Sequence, residues 1–209
     1  MRADDAAGRR VTGPTLPRPI ADAARLLVDL RVPWAVAGGW AIDLAVGRTT
    51  RRHADVDLAL LRDDQAALHA ALPGWTLRAA TGGTLVSWTP GVRLERPVHE
   101  VHALWPGGSE APVLEFLLDE REGPDWVYRR DTAVRRPLRR VCRRGPGGVR
   151  VLAPEVVLLY KSKAPRLADE HDLLVGRSLL DGEARAWLVA ALTRQDARHP
   201  WITVLARAS

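Results

Sequence analysis

The stretch from residue 32 to residue 61 constrains the fold of this chain more than any other part of the sequence. A short apolar run at 32–37 leads into two adjacent glycines and predicts a strand that ends in a tight turn. Residues 40–46 predict a helix, with Gly47 as its C-cap. After a polar loop, residues 53–61 begin with polar alternation, end fully apolar and predict a second strand. We therefore expect a strand, a glycine turn, a helix and a strand in direct succession.

Two acids, Asp55 and Asp57, lie on the second predicted strand with Val56 between them. Successive side chains of a strand point to opposite faces, so both carboxylates are expected to face the same way. They would repel each other there unless a cation lay between them. Magnesium is the expected ion, because it takes carboxylate oxygens and completes its shell with water and phosphate. The alternative is a pair of surface acids that form ion pairs with Arg51 and Arg52.

The glycine pair, Gly38 and Gly39, lies at the predicted turn from strand to helix. Glycines let the backbone approach a ligand closely, and free N–H groups at a helix start suit a phosphate. A glycine pair or an Asp-x-Asp motif alone is weak evidence, and the pair taken alone would more often be an ordinary turn. Their order and spacing together predict a site for a nucleoside triphosphate and its metal ions.

The strings Gly-Gly-Trp-Ala-Ile-Asp, Gly-Arg-Thr-Thr-Arg and His-Ala-Asp-Val-Asp resemble the signature of the polymerase-β-like nucleotidyltransferase superfamily. They are similar to its small antibiotic-modifying and toxin-like members, among them aminoglycoside and lincosamide nucleotidyltransferases. The close resemblance covers residues 34–61, and a weaker one covers 154–166 and 169–172. The resemblance implies two magnesium ions, attack of an acceptor hydroxyl on the α-phosphorus of the triphosphate and release of pyrophosphate.

The resemblance also implies a third carboxylate on a neighbouring strand. Glu115 is the first candidate, because a lone acid within the apolar strand predicted at 113–118 is costly to bury. Asp119 shares its face if the strand continues, and Glu100, in the strand predicted at 98–105, is a third choice. The expected catalytic and metal-binding residues are therefore Asp55, Asp57 and Glu115, with the choice of the third acid left open.

Lys161 and Lys163 are the only lysines in the chain, whereas 29 of its 31 basic residues are arginines. A compact ammonium group near the phosphates would explain their use, and solvated helix faces are the alternative. The expected nucleotide-binding residues are Gly38, Gly39, Trp40, Arg51, Lys161 and Lys163.

Other residues of the matched segments have expected roles outside ligand binding. Asp43 is expected to make structural hydrogen bonds, and His53 is as well suited to orienting the loop as to touching a ligand. Relatives often read Arg-x-Lys-Asp-x-x-Asp where this chain has Arg166, Asp169 and Asp172. Ala168 takes the place of the lysine in that pattern, so this chain departs from its relatives there.

The net charge of +6 is concentrated in one segment. Residues 129–150 hold nine arginines and one acid, and the rest of the chain has 22 basic and 24 acidic residues. We interpret this arginine stripe (129–150) as a solvated face that follows from a general use of arginine. If the stripe lined the cleft, it would favour an RNA acceptor and disfavour a cationic aminoglycoside.

The whole pattern predicts an α/β (α+β) fold with a mixed nucleotidyltransferase sheet flanked by helices. We expect a flexible lead-in at 1–17, a nucleotidyltransferase domain at 18–150 and a helical C-terminal region at 151–209. No apolar run is long enough for a membrane span or a secretory signal, and Cys142 is the only cysteine. A cytoplasmic location is expected.

The expected partners are a nucleoside triphosphate, ATP in the first place, and a small hydroxylated acceptor such as an aminoglycoside-like molecule. One alternative is a toxin-like enzyme of the same chemistry that acts on tRNA or protein. The other is a catalytically inactive relative that binds nucleotide.

Overall fold

The computed structural model describes residues 16–105 and 114–207, and within them helices pack around a ten-stranded mixed sheet. The strands are β1 (Trp34–Val36), β2 (Val56–Leu61), β3 (Thr76–Thr81), β4 (Thr84–Ser87), β5 (Glu100–Leu104), β6 (Leu114–Glu122), β7 (Asp125–Val127), β8 (Arg135–Pro137), β9 (Cys142–Arg144) and β10 (Arg150–Leu152). The α-helices are α1 (Arg18–Leu26), α2 (Gly38–Val46), α3 (Ala67–Ala71), α4 (Leu138–Val141), α5 (Pro154–Lys161), α6 (Leu167–Gly176), α7 (Gly182–Gln195) and α8 (Pro200–Ala206). This mixed α/β architecture confirms the predicted fold class.

The sheet order is β4-β3-β5-β6-β2-β1-β10-β9, and β7 and β8 continue from β6 as a smaller branch. Strands β2 and β6 are parallel neighbours, although more than fifty residues separate them in the chain. Strand β5 lies antiparallel on the other side of β6. The three strands β2, β6 and β5 are therefore adjacent, and their side chains can form rows across one face of the sheet.

The face of β2 and β6 that lies opposite these rows forms part of the hydrophobic core. At the start of both strands, buried apolar side chains alternate with an ionisable one, as expected for a sheet with one face on a core. The buried residues that alternate with Asp57 and Glu115 are Val56, Leu58, Leu114 and Phe116. Their burial leaves the carboxylates on the opposite face.

The predicted strand at 53–61 is shorter in the structure and begins at Val56. Asp55 therefore precedes β2, and the prediction that both acids lie on one strand is wrong. The physical reason is that side chains of α2 and α6 hold the backbone before Val56 in a loop, as described below. The helix after β1 begins at Gly38, two residues before its predicted start, and Gly47 ends it in the left-handed region with φ +80°, which confirms the predicted C-cap.

The C-terminal part of the described chain is mainly helical, as predicted. Pro154 takes the first position of α5, and the side chain of Asp181 caps α7 by accepting a hydrogen bond from the backbone N–H of Ala184 at 2.8 Å. Strand β10 crosses residue 150, where the boundary between the two regions was expected, and pairs with β1. The sheet thus takes residues from both expected regions. Most of the expected lead-in, residues 1–17, lies outside the described residues.

The arginine stripe is tied into the fold by acids from other elements. Arg136 is buried, and its Nη2 lies 2.6 Å from Oε1 of the fully buried Glu155 at the start of α5. Arg135 pairs with Glu122 at 2.6 Å, and Arg140 pairs with Glu183. The interpretation as a solvated face is therefore wrong for Arg136. For the paired residues, the charge that seemed available to a polyanion is already compensated.

None of the helices within 16–105 and 114–207 combines the length and the apolar character that crossing a bilayer requires.

We expect Arg136→Met to lower the free energy of unfolding by about 3 kcal/mol, because it leaves the buried carboxylate of Glu155 without its nearest partner. Urea denaturation followed by circular dichroism measures the change. Arg139→Met is the matched control, since Arg139 is an exposed member of the same segment, and its effect should stay within about 0.5 kcal/mol. Equal effects of the two substitutions would contradict a structural role for the Arg136–Glu155 pair.

Candidate active site

A row of ionisable side chains, called the acidic row (Asp57, Glu115, His102 and Glu100), crosses three adjacent strands. Asp57 on β2 lies directly opposite Glu115 on β6, and Glu115 lies directly opposite His102 on β5. His102 Nε2 lies 2.6 Å from Oε1 of Glu100, and its Nδ1 lies 3.5 Å from Oε1 of Glu115. One donor atom from each of Glu100, His102 and Glu115 lies within 4.8 Å of the other two, which is close enough for the three to share a metal ion.

The carboxylates of this row carry more negative charge than their surroundings stabilise. Burial raises the pKa of Asp57 to about 6, the charge of Asp55 adds to the rise, and Lys161 opposes it. Burial raises the pKa of Glu115 to about 7, with a further contribution from Asp57, and His102 opposes it. A divalent cation would relieve this repulsion, and the oxygen-rich donor set suits a hard ion. The residues present therefore fit a metal ion.

Asp55 reaches the same site from the loop before β2. The indole N–H of Trp40 donates a hydrogen bond to the backbone carbonyl of Asp55 at 3.0 Å. The carboxylate is near enough for its charge to raise the pKa values of both Asp57 and Glu115. The structure thus brings together the three acids expected from the sequence. Strand pairing aligns Asp57 with Glu115, whereas Asp55 approaches from the loop.

The loop before β2 is held by buried polar side chains of α2. Asp43 accepts a hydrogen bond from the hydroxyl of Thr50 at 2.5 Å, and its other carboxylate oxygen lies 2.6 Å from Nε2 of His53. The ring of Trp40 stacks on His53 with 4.2 Å between the ring centroids. Asp43 and His53 are therefore structural residues of the loop. Trp40 packs beneath the loop and does not line the cleft described below.

Both glycines of the pair are required by close approaches within the protein. Gly38 has φ +57°, and a Cβ atom there would lie 1.8 Å from Oδ2 of Asp57. A Cβ atom at Gly39 would lie 2.0 Å from Nη2 of Arg51 and 2.7 Å from Cε1 of His53. The sequence predicted that the glycines make room for a ligand. The structure shows that they make room for a carboxylate on one side and a guanidinium on the other.

A cleft with a volume of about 300 Å³ opens beside Gly38 and Asp57. Four cationic side chains contribute to its walls: Arg130, Lys161, Lys163 and Arg166. Lys161 is mostly buried and lies 2.6 Å from Asp169 and 3.0 Å from Asp172, whereas Lys163 and Arg166 are exposed. The cleft therefore brings positive charge close to Asp57 and to the acids next to it, an arrangement that suits a metal-bound polyphosphate.

The expected binding set omitted Arg130, Arg166 and His102. Arg166 lies in a segment whose resemblance was recognised, and His102 follows Glu100 by two residues, so strand alternation could have linked it to the acids. Arg130 was visible only as part of the arginine stripe. Its place in the cleft depends on how the turn after β7 packs on α5, where its Nη1 donates to the carbonyl of Tyr160 at 2.9 Å.

Arg51 does not line the cleft. Its Nε and Nη2 lie 2.8 Å from the two carboxylate oxygens of Asp172 on α6, in a bidentate ion pair. Burial alone would raise the pKa of Asp172, but the hydrogen bonds from Arg51 and the charge of Lys161 hold it below its ordinary value.

Asp119, the first competitor of Glu115, lies away from the acidic row. It is opposite Leu61, four residues beyond Glu115 on β6, and is 6% exposed. The hydroxyl of Tyr160 donates a hydrogen bond to its Oδ1 at 2.7 Å. Glu100, the other competitor, lies close to Glu115 and remains an alternative third acid.

Comparison with known proteins agrees with this fold. Residues 20–92 match the family described as aminoglycoside-2''-adenylyltransferase. A comparison with curated proteins found no match. The solution structure of the antibiotic-resistance factor ANT(2'')-Ia is similar at 19% identity, with a TM-score of 0.57, over 86% of this chain and 92% of that chain.

Two crystal structures give the same result. ANT(2'')-Ia in complex with adenylyl-2''-tobramycin matches at 18% identity and a TM-score of 0.57, over 84% of this chain and 96% of that chain. The lincomycin-bound lincosamide antibiotic adenylyltransferase LnuA matches at 12% identity and a TM-score of 0.54, over 79% of this chain and 99% of that chain. At these identities the likeness establishes the fold, which is that of the nucleotidyltransferases. Together with the family match, it confirms the predicted resemblance to the aminoglycoside and lincosamide nucleotidyltransferases.

We expect Asp119→Asn to stabilise the protein at neutral pH. Burial raises the pKa of Asp119 from 3.8 to about 6. Below pH 4 the group is protonated in both folded and unfolded chains, and above pH 6 it is charged in both, at a cost to the folded state. The advantage of the variant should therefore grow between pH 4 and pH 6, up to about 3 kcal/mol.

Thermal or urea unfolding of both proteins at several pH values measures this difference. Asp29→Asn, at an exposed acid, is the control and should give no such profile. A constant difference between Asp119→Asn and the unsubstituted protein across this range would contradict the buried-charge explanation.

Proposed function

We propose that the chain is a magnesium-dependent nucleotidyltransferase that moves AMP from ATP to a hydroxyl group of a small, aminoglycoside-like acceptor and releases pyrophosphate. The observation that carries the proposal is the pairing of two opposite charge sets across one cleft. Asp57 lines the negative side, with Asp55 and Glu115 next to it, and Lys161 is the most buried cation of the positive side. A triphosphate with its metal ions is complementary to both sets.

The cationic wall would bind the phosphates. Lys161 is held with its ammonium group at the cleft, and Lys163, Arg130 and Arg166 add positive charge around it. Gly38 brings the first turn of α2 to the same cleft, so its backbone can approach the triphosphate. The matched family and LnuA are described as adenylyltransferases, which supports ATP as the nucleotide.

The acidic row, together with Asp55 from the loop before β2, would hold the metal. Asp55, Asp57 and Glu115 are the proposed magnesium ligands, and Glu100 is the alternative to Glu115. When bound, magnesium would neutralise the triphosphate and make the acceptor hydroxyl easier to deprotonate. The contribution of the chain is to hold these carboxylates in a fixed row, through strand pairing and through the hydrogen bond from Trp40 to Asp55.

The charge around the acidic row favours a cationic acceptor. Four carboxylates, those of Asp55, Asp57, Glu100 and Glu115, lie close together, with His102 among them. The neighbouring structures contain an adenylylated tobramycin and lincomycin, both of which carry amino and hydroxyl groups. The arginine stripe no longer argues for RNA, because acids pair with Arg135, Arg136 and Arg140. An amine-bearing small molecule fits this environment better than a polyanion.

The proposal is tested with purified protein, α-labelled ATP, magnesium and a panel of aminoglycosides, lincosamides and tRNA. We expect label on an amine-bearing small acceptor, pyrophosphate release and loss of both when magnesium is chelated. Asp57→Asn should lower the rate by about 100-fold or more, because it removes a proposed metal ligand.

The matched control is Asp63→Asn, at an exposed acid paired with Arg93, which should keep its activity. Transfer by Asp57→Asn at the unsubstituted rate would contradict the metal assignment. Label found only on tRNA would contradict the acceptor class while supporting the reaction type.

The third carboxylate is tested by comparing Glu115→Gln with Glu100→Gln. We expect Glu115→Gln to raise the magnesium concentration needed for half-maximal rate and to lower kcat by about 100-fold, because Glu115 lies directly opposite Asp57. Glu100 is already hydrogen-bonded to His102, so its substitution should have the smaller effect. The reverse order, measured by magnesium titration of initial rates, would assign the third ligand to Glu100.

A further inference from the structure

We propose that Arg51 is a positioning residue that holds Lys161 at the nucleotide cleft through Asp172. This inference rests on the proposed function and replaces the expected role of Arg51 as a direct nucleotide ligand. Three residues from distant parts of the chain form a continuous chain of contacts, from the loop before β2, through α6, to the end of α5.

Each of the three guanidinium nitrogens of Arg51 makes a hydrogen bond within the protein. Its Nε and Nη2 bind the two oxygens of Asp172, and its Nη1 donates to the backbone carbonyl of Arg52 at 3.0 Å. The side chain of Asp172 is completely buried, so release of Arg51 toward a phosphate would leave a buried carboxylate without its bidentate partner. The geometry therefore favours a fixed ion pair.

Asp172, fixed by Arg51, also contacts a cation that lines the cleft. Its Oδ2, which accepts from Arg51, also lies 3.0 Å from Nζ of Lys161. Asp169 holds the same ammonium at 2.6 Å, and the backbone N–H of Arg166 anchors Asp169 at the start of α6. Lys161 lines the cleft together with Asp57, so its position decides where positive charge meets the phosphates.

The balance of charge explains why the arginine is needed. Arg51 and Lys161 compensate Asp172, and Lys161 and Arg166 compensate Asp169. Without Arg51, Lys161 would be the remaining cation in contact with the buried carboxylate of Asp172 and would be drawn toward it. The phosphates would then compete with Asp172 for Lys161. Arg51 thus leaves the lysine free enough to interact with a nucleotide.

The second glycine of the pair makes this arrangement possible. Nη2 of Arg51 lies only 2.0 Å from the position that a Cβ atom at residue 39 would take. The backbone next to Arg51 is also held through the preceding residue, Thr50. Its hydroxyl contacts Asp43 of α2 and lies 3.1 Å from Nε2 of His171 on α6. Gly39 therefore provides the space through which the guanidinium reaches α6, whereas Gly38 makes room for Asp57.

A double-substitution cycle tests this role with the full chain. Calorimetry gives the Kd for ATP with magnesium, and initial rates give KM and kcat, for Arg51→Gln, Asp172→Asn and the double variant. We expect Arg51→Gln to raise Kd and KM by about tenfold with a smaller effect on kcat. The double variant should bind ATP more tightly than Arg51→Gln, because the carboxylate that competes for Lys161 is also gone. Arg51→Lys, which keeps the charge, should restore part of the affinity.

Two controls separate positioning from a general loss of structure. Arg52→Gln alters the exposed neighbouring arginine and should leave Kd unchanged. Gly39→Ala keeps every charge but displaces the guanidinium and presses on the ring of His53, so it should raise Kd as Arg51→Gln does, whereas Gly182→Ala, which meets no neighbouring atom, should not. If Arg51→Gln does not fold, Gly39→Ala and Arg51→Lys carry the test.

The outcomes of these measurements distinguish the possible roles of Arg51. Losses of affinity that add in the double variant would mean that Arg51 contacts the nucleotide itself, and would overturn the proposal. An unchanged Kd in Arg51→Gln and Gly39→Ala would overturn it as well. If the unsubstituted protein neither binds ATP nor transfers label, the proposed function fails, which is a different outcome from a failure of the positioning role.

Discussion

The in-register pairing of two parallel strands is the constraint on which the rest of the site depends. Because β2 and β6 are neighbours, Asp57 and Glu115 lie side by side on the face that is not occupied by the apolar core. Burial raises the pKa of Glu115, the charge of Asp57 raises it further, and a nearby cation would be stabilised there. Lys161 and Arg166, from the cationic wall of the cleft, oppose the rise in the pKa of Asp57, and a metal ion would add further positive charge.

Helix α2 organises both sides of the cleft at once. Its buried polar side chains hold the loop before β2, so that Asp55 comes close to Asp57 without belonging to the strand. Its two glycines let one carboxylate and one guanidinium lie against its first turn. The glycine pair, which predicted a phosphate site, therefore has a packing role, because the missing Cβ of each glycine leaves room for a different charged side chain.

The arginine stripe shows why the location of charge matters more than its amount. Most of the net charge of the chain lies in one short segment, yet Glu122, Glu155 and Glu183 compensate several of its members within the fold. Arg130, at the start of the segment, lines the cleft beside Gly38 and Asp57. Carboxylates therefore dominate the charge around Glu115, which is the opposite of what the overall charge suggests.

Sequence alone determined the glycine turn, the helix that ends at Gly47, the Asp-x-Asp pair and the fold class, because these depend on local spacing and on patterns of two and 3.6 residues. Only the tertiary structure decided that Glu100 and not Asp119 competes with Glu115, and that Arg51 pairs with a carboxylate 121 residues away. Strand order and helix packing bring such residues together, and these follow from the burial of the whole core. No local pattern encodes the partner of a charged side chain, because any of several acids satisfies the same electrostatic need until the fold selects one.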